Sequence, residues 1–413
     1  MKAILRTLAP KQALWLYHFL LAFFSAMMTG FPARGMTVIL VTGTKGKSTT
    51  TELLYAILKK HGVRVALLNT IRFALPEEEI RNTLKMTMPG RGKIHFLLKK
   101  AREQGATHAI IESSSEGTLQ SRHLFLSPDV LVFTNLQKEH IEAHGSFEKY
   151  KQAKLSIARE VGRSSKKRRA VVAYGNDPHA KDFLDFSPER ITFSEDELRN
   201  LSLSATNVSF AYKDAEFSLA LPGLYNALNA LGAIKTCEWL SVPLSTCADG
   251  LREVKRVRGR AERVDAGQSF SVLVDYAHTP DSLEALYGAF PNARKICVLG
   301  NTGGGRDAWK RPLMASIAEK HCDIVILTNE DPYDEDPRAI IDAMVGGMNT
   351  KPTIIMDRRE AIRKALVEAG ENDVVLITGK GTDPYIMEAN GKKVPWDDAT
   401  VAREELAKLL RSP

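Results

Sequence analysis

Short β-branched apolar runs recur along the chain, separated by stretches whose apolar residues fall at helical spacing. The run VILV (residues 38–41) leads into the glycine-rich turn GTKGKS and then a helical stretch from Thr49 to His61 that Gly62 closes. The unit recurs with RVALLN, with HAIIES after the helical run Ile94 to Gln104, and with DVLVFTN. Continuous apolar runs of this length fit parallel strands buried on both faces, so the class is α/β. A second series begins near Arg260, with SVLVDYAH, KICVLGN, DIVILTNE, PTIIMD and DVVLITGK, spaced by helical stretches such as Asp281 to Ala289 and Arg359 to Glu368. This predicts a second doubly wound sheet, with the stretch from Leu221 to Glu253 helical and closing the first unit.

Residues Ala13 to Met28 are almost wholly apolar, broken mainly by His18 and Ser25. At about 16 residues the segment falls short of the roughly 20 that a spanning helix needs. A signal peptide does not fit either, because Arg34 leads directly into the strand from Thr37 with no small-residue cleavage site. The expectation is a buried helix packed on the next domain. The alternative is an interfacial helix giving weak, peripheral association with the inner membrane leaflet. The chain thus divides into a hydrophobic segment 1–36, a central domain 37–258 and a C-terminal domain 259–413.

The net charge of +8 favours polyanionic partners such as nucleotides. No basic motif interleaved with aromatics supports nucleic-acid binding. The run Lys166, Lys167, Arg168 and Arg169 precedes an apolar strand and is expected to be a solvated loop. Cys237, Cys247, Cys297 and Cys322 show no C-x-x-C spacing, which indicates neither a zinc knot nor a disulfide framework and fits a reducing cytoplasm.

Chemistry concentrates first at Gly43-Thr44-Lys45-Gly46-Lys47-Ser48. Placed between a strand and a helix, this loop's N–H groups and the helix N-terminus can cradle phosphate while Lys47 neutralises it, with Ser48 or Thr49 positioned to hold magnesium. The spacing is G-x-x-G-K-S, because Val41 occupies the place of the first glycine in the longer phosphate-loop pattern. Glu112 and His140 fall at or just beyond the ends of later strands, where α/β sheets place ligands.

In their order these segments resemble the Mur ligases. GTKGKSTT is similar to the family's ATP loop, IESSSEGTLQSR to its E-V-S-S segment, and TNLQKEHIEAHGSFEKYKQAK to its T-N-L-x-x-D-H-x-x-x-H-G segment. VDYAHTPDSLEAL resembles the tripeptide-synthetase branch, and LPGLYNALNAL, VRGRAERV, GGGRDAWKRPLM and ITGKGTD extend the match. The resemblance implies a P-loop-type central ATPase domain with a mainly parallel sheet and a C-terminal Rossmann-like doubly wound domain. It implies an ATP- and Mg2+-dependent ligase that activates a carboxylate as an acyl phosphate and adds an amino acid, the third stem residue of a muramoyl-dipeptide peptidoglycan precursor. Its partners would be a muramoyl-peptide-like carboxylate and an amino acid.

Carried across position by position, the resemblance gives Lys47 the β/γ-phosphates, and Glu112, His140 and Ser48 magnesium. Lys154 matches the family lysine modified to a carbamate, which requires a partly neutral amine. Asn226 and Asn229 match side chains near adenine, and Arg260, Asp275 and His278 match groups that close over the nucleotide. Thr87, Ser114 and Arg122 match positions holding the carboxylate acceptor; Arg306, Asp331, Gly379 and Asp383 match the amino-acid pocket.

Several features depart from the family pattern. Only 36 residues precede the first strand, where the family has a domain gripping uridine diphosphate. Lys45 replaces an asparagine and Glu139 an aspartate. Where the diaminopimelate enzymes read D-N-P-R, this chain reads Glu330-Asp331-Pro332-Tyr333, which suits a basic amino acid with a single carboxylate. Two other readings follow from these departures: a Mur-type ligase acting on a lipid-linked precursor or an amino-acid polymer, and an inactive nucleotide-binding scaffold.

Overall fold

A computed structural model describes residues 11–90, 92–139, 141–305 and 307–411. His140 and Arg306 therefore lie outside the described residues.

The first sheet has eight strands: β1 (Thr37–Thr42), β2 (Val65–Leu68), β3 (Arg72–Leu75), β4 (Glu78–Arg81), β5 (His108–Glu112), β6 (Val130–Phe133), β7 (Ala170–Tyr174) and β8 (Glu189–Phe193). Their order is β4-β3-β2-β5-β1-β6-β7-β8, parallel except that β3 runs against both of its neighbours, β2 and β4. Because β1 is central, its carboxyl end lies between those of β5 and β6. Val41 pairs with Glu112 and Thr42 with Phe133, which brings three strand ends to one place. Alternate residues of β1 enter opposite cores, Ile39 and Val41 on one face and Val38 and Leu40 on the other, all fully buried. Each such side chain contributes roughly 1.5–3 kcal/mol of apolar burial.

An antiparallel sheet of three strands follows: β9 (Arg199–Leu203), β10 (Val208–Tyr212) and β11 (Ala215–Leu219). The region expected to be helical from Leu221 forms two helices, Leu224–Trp239 and Leu244–Glu253, broken where Ser241 takes a φ of 66° ahead of Pro243. The second large sheet comprises β12 (Glu262–Arg263), β13 (Ser271–Asp275), β14 (Lys295–Leu299), β15 (Ile324–Leu327), β16 (Thr353–Ile354) and β17 (Val374–Thr378). Its order is β12-β13-β17-β14-β15-β16, parallel apart from β12. Again β13 alternates, Leu273 entering one core and Val272 and Val274 the other. The α/β class with two mainly parallel sheets stands as expected.

Three expectations are corrected. The apolar segment forms the helix Lys11–Met28, but among its described side chains only Ala22, Ser25 and Ala26 are buried, while Trp15, Leu16, Tyr17, Leu20, Phe24, Met27 and Met28 are exposed. The helix is apolar all round and has neighbours along only one stripe. No described helix is long and apolar enough to cross a membrane. Second, Cys297 on β14 and Cys322 after the helix Lys310–His321 are joined as a disulfide with Cα atoms 6.2 Å apart. Tertiary placement creates that pair, so sequence spacing carried no sign of it. Third, the basic run is only half solvated: Lys166 pairs with Asp129 at 3.2 Å, and Arg169 donates to the carbonyls of Gly162 and Ser164.

Candidate functional site

The loop from Gly43 to Gly46 joins β1 to the helix Lys47–Lys60. Two backbone conformations in it require glycine. Gly46 has φ +82°, and a Cβ there would sit 2.3 Å from Asn229 Oδ1; Gly43 has φ +149°, and a Cβ would sit 1.9 Å from Thr134 Oγ1. Neighbouring chain fixes the loop: Thr44 N donates to Asn135 O at 2.8 Å, Lys45 N to Asn135 Oδ1 at 2.9 Å, and Gln137 N to Thr44 Oγ1 at 2.9 Å. No side chain caps the helix that follows, so its first N–H groups remain available to an anion.

Around this loop the strand ends deliver charged groups. Ser48 Oγ lies 3.0 Å from both carboxylate oxygens of Glu112, and Thr70 N donates to Glu112 Oε2 at 2.8 Å. Arg260, from the second half of the chain, donates to the same Ser48 hydroxyl at 3.1 Å and lies over the Tyr276 ring. Lys47 Nζ donates back to Thr44 O at 2.9 Å, and burial lowers its pKa against the opposing pull of Glu112 and Glu139. Lys154, only 2% exposed, donates to Gly43 O at 2.6 Å. Burial, then the nearby Lys47 charge, hold its amine well below the usual lysine range. Glu139 bridges Lys45 at 3.2 Å and His278 Nε2 at 3.0 Å. Burial lowers Lys45 to about 8 and His278 to about 4.

Not every expected residue comes to this point. Asn229 accepts from Thr50 and donates to Asn226 Oδ1, both at 3.4 Å, which places the two asparagines beside the loop. Asp275 accepts from the backbone N–H groups of Ala261 and Ala277, at 2.6 and 2.7 Å, and so shapes the chain leading to His278. Thr87 accepts at 3.0 Å from the hydroxyl of Thr70, the same residue whose backbone N–H donates to Glu112. Ser114 caps its own helix by accepting from Gly117 N, and Arg122 donates to Met88 O and to Gln120 Oε1. Asp331, Asp383 and Gly379 form a separate cluster. There Lys85 pairs with Asp331 and, at 3.0 Å, with Asp383, while fully buried Lys380 reaches Asp331 at 2.7 Å. Gly379, with φ +104°, leaves room for Glu330 Oε2, which would lie 2.2 Å from a Cβ there.

Sequence reasoning missed Lys85, Lys380 and Tyr150, whose hydroxyl meets Thr44 Oγ1 at 3.0 Å. Lys380 lies inside ITGKGTD, so its motif was visible although its partner was not. Among the described residues no three His, Cys, Asp or Glu side chains gather as a metal site. The oxygen donors of Ser48 and Glu112, side by side, suit a hard cation such as Mg2+.

Two family models match the chain, the Mur ligase middle domain over residues 41–237 and the Mur ligase glutamate ligase domain over residues 259–381. A UDP-N-acetylmuramyl-tripeptide synthetase of Roseiflexus sp. (strain RS-1) is 36% identical over 420 residues, covering 94% of this chain and 82% of the relative. The chain belongs to the Mur ligase family. A UDP-N-acetylmuramoyl-L-alanyl-D-glutamate–2,6-diaminopimelate ligase of Syntrophomonas wolfei is 34% identical over 94% of this chain and 81% of its own. A solved structure of an enzyme of that diaminopimelate-ligase name shares 27% identity at a TM-score of 0.62, covering 91% and 79%. In fold alone, a Mycobacterium tuberculosis folylpolyglutamate synthase complexed with ADP and AMPPCP matches at a TM-score of 0.70 and 15% identity, covering 98% and 100%. This Mur ligase is accordingly an ATP-dependent, amide-bond-forming acid–amino-acid ligase of the tripeptide-synthetase type. The readings as a polymer ligase, a ligase on a lipid-linked precursor, or a silent scaffold are not favoured by these relatives.

Proposed function

We propose that this Mur ligase couples ATP cleavage to the addition of an amino acid to the carboxylate of a muramoyl-dipeptide precursor, in the cytoplasm, with residues 37–258 binding nucleotide and acceptor and residues 259–413 binding the amino acid. The observation that carries the reading is the convergence on one hydroxyl: Ser48, at the start of the phosphate-loop helix, meets Glu112 from β5 and Arg260 from the other half of the chain. A cleft with this construction closes on a phosphate from both sides.

Lys47 and the free N–H groups of its helix bind the β/γ-phosphates, and Arg260 adds charge from the opposite wall. Mg2+ would be held by Ser48, Glu112, His140 and a carbamylated Lys154, and when bound it supplies neutralisation of phosphate charge. A lysine whose charge is suppressed by burial and by Lys47 is the form able to react with CO2. The acceptor carboxylate, held by Thr87, Ser114 and Arg122, takes the γ-phosphoryl group of ATP with release of ADP. The amine of the incoming amino acid then attacks the acyl carbon, phosphate leaves, and the amine loses a proton. Positioning and charge neutralisation carry the rate, and closure over the cleft keeps water from the acyl phosphate.

In the amino-acid pocket, the absence of an arginine at the position of Tyr333 favours a substrate with a single carboxylate. Arg338 does not supply the missing charge, since it is exposed and pairs with Asp342 at 3.0 Å. Lys85 and Lys380 are committed to Asp331 and Asp383. A second, uncompensated carboxylate would cost several kcal/mol. The kcat/KM values for lysine, ornithine and meso-diaminopimelate test this; preference for diaminopimelate over both others would overturn the pocket reading while leaving the ligase reading intact.

A further inference from the structure

The helix Lys11–Met28 presents an apolar surface that the ligase chemistry does not use. Trp15, Leu16, Tyr17, Leu20, Phe24, Met27 and Met28 are all between 38% and 70% exposed, a concentration that a monomeric soluble surface rarely shows. Its other side is anchored. Ser25 packs so closely on Gly92 that a Cβ there would lie 2.4 Å from Ser25 Cβ, and Phe19 and Phe23 pack edge-on against Phe125, each at 5.7 Å. The exposed side chains are therefore held outward on a fixed helix.

Along the sequence, basic residues predominate on either side of the helix. The sequence contains no Asp or Glu before Glu52, while Lys2, Arg6, Lys11 and Arg34 bracket the apolar stretch. Arg34 stacks on Phe31 at 4.2 Å, and a cavity of about 320 Å³ beside Trp15 and Phe19 is edged by Arg159 and Arg163, with Glu160 the single acid lining it. Arg163 is 74% exposed and lies 3.5 Å from Glu160, and Arg159 donates to Gln152 Oε1 at 2.6 Å, so both guanidinium groups sit at the surface with their charge only partly offset.

We infer that this helix lies flat on an anionic lipid surface, with its exposed face entering the acyl boundary and the arginine rim meeting headgroup phosphates. Trp and Tyr are the side chains that settle at that depth, and basic residues add attraction to acidic lipid. A second copy of the chain fits less well, because a two-fold contact through this face would bring identical arginine rims together.

The test is sedimentation of the full chain with vesicles of phosphatidylglycerol and phosphatidylcholine, compared with phosphatidylcholine alone, at low and high salt. Wild type is expected to pellet with the anionic vesicles, less so at high salt, with a blue shift of Trp15 emission that is missing in Trp15→Phe. Leu16→Glu/Leu20→Glu/Phe24→Glu, at three outward positions one turn apart, should lower partitioning by at least about tenfold with an unchanged melting temperature. If that variant fails to fold, Arg159→Ser/Arg163→Ser replaces it and should lose binding to anionic vesicles only. Wild type that stays in the supernatant, or pellets equally with neutral vesicles, overturns the inference. So does a concentration-dependent dimer that the glutamate variant dissociates while vesicles bind neither form.

Discussion

Replacing Gly46 with alanine separates two costs that the geometry places in the phosphate loop. At φ +82° an alanine sits in the left-handed region, which costs roughly 1–2 kcal/mol. Its Cβ would also lie 2.3 Å from Oδ1 of Asn229, a side chain only 7% exposed, and overpacking of this kind costs about 1–3 kcal/mol more. If the loop must keep its shape to bind phosphate, the dissociation constant for ATP should rise about thirty-fold or more in Gly46→Ala, at ~1.4 kcal/mol per factor of ten. In an Asn229→Ala background the clash is gone and only the backbone cost remains, so the same substitution should weaken binding by roughly 5- to 30-fold. Calorimetric titration of ATP into the four proteins of the cycle measures both effects, with thermal unfolding run in parallel. Wild-type affinity in Gly46→Ala would refute the role of the loop, and equal penalties in the two backgrounds would refute the packing of Asn229 against it.

Lys45 loses its charge near pH 8, chiefly through burial, so its attraction for ATP is present below that pH and fades above it. The dissociation constant should climb between neutral and alkaline pH, and Lys45→Asn should flatten that dependence. Lys154→Ala should abolish ligation and regain part of it with added short carboxylates, as judged by phosphate release; full activity without additive would remove the carbamate from the account. Arg358 and Asp398 form a fully buried two-point ion pair at 2.7 and 2.8 Å, so Arg358→Met, which strands a carboxylate, should cost about 3–5 kcal/mol in urea unfolding. Burial lowers His95 and His123 to about 4, so the unfolded chain binds more protons between that value and 6.5. Each histidine then contributes up to about 3 kcal/mol that is present above pH 6.5 and lost as the pH falls towards 4. Unfolding of His95→Gln should show a shallower acid limb.

The parallel strands were readable because burial on both faces makes each a continuous apolar run. VILV and DVVLITGK show this directly, and the strand ends then located Ser48 and Glu112 in advance. The antiparallel strand β9 was not legible, since Leu201 and Leu203, the apolar positions of Arg199–Leu203, are exposed and only two in number, too short an alternation to stand out. The helix Lys11–Met28 was legible as a helix but not in its exposure, because a segment apolar all round does not say which side has neighbours. Lys85 gave no signal at all. Its partners, Asp331 and Asp383, lie 246 and 298 positions away, and only the approach of the two halves of the chain joins them.

Phosphate release and product mass, measured in one reaction containing ATP, magnesium, a UDP-linked muramoyl-dipeptide and a basic amino acid, show whether this chain joins the two co-substrates. Phosphate release should require acceptor and amino acid together, with a product heavier than the acceptor by one amino-acid residue, and both signals should be lost in Lys47→Ala although its unfolding curve is unchanged. ATP hydrolysis indifferent to both co-substrates, or ligation that persists without Lys47, would contradict the proposed ligation.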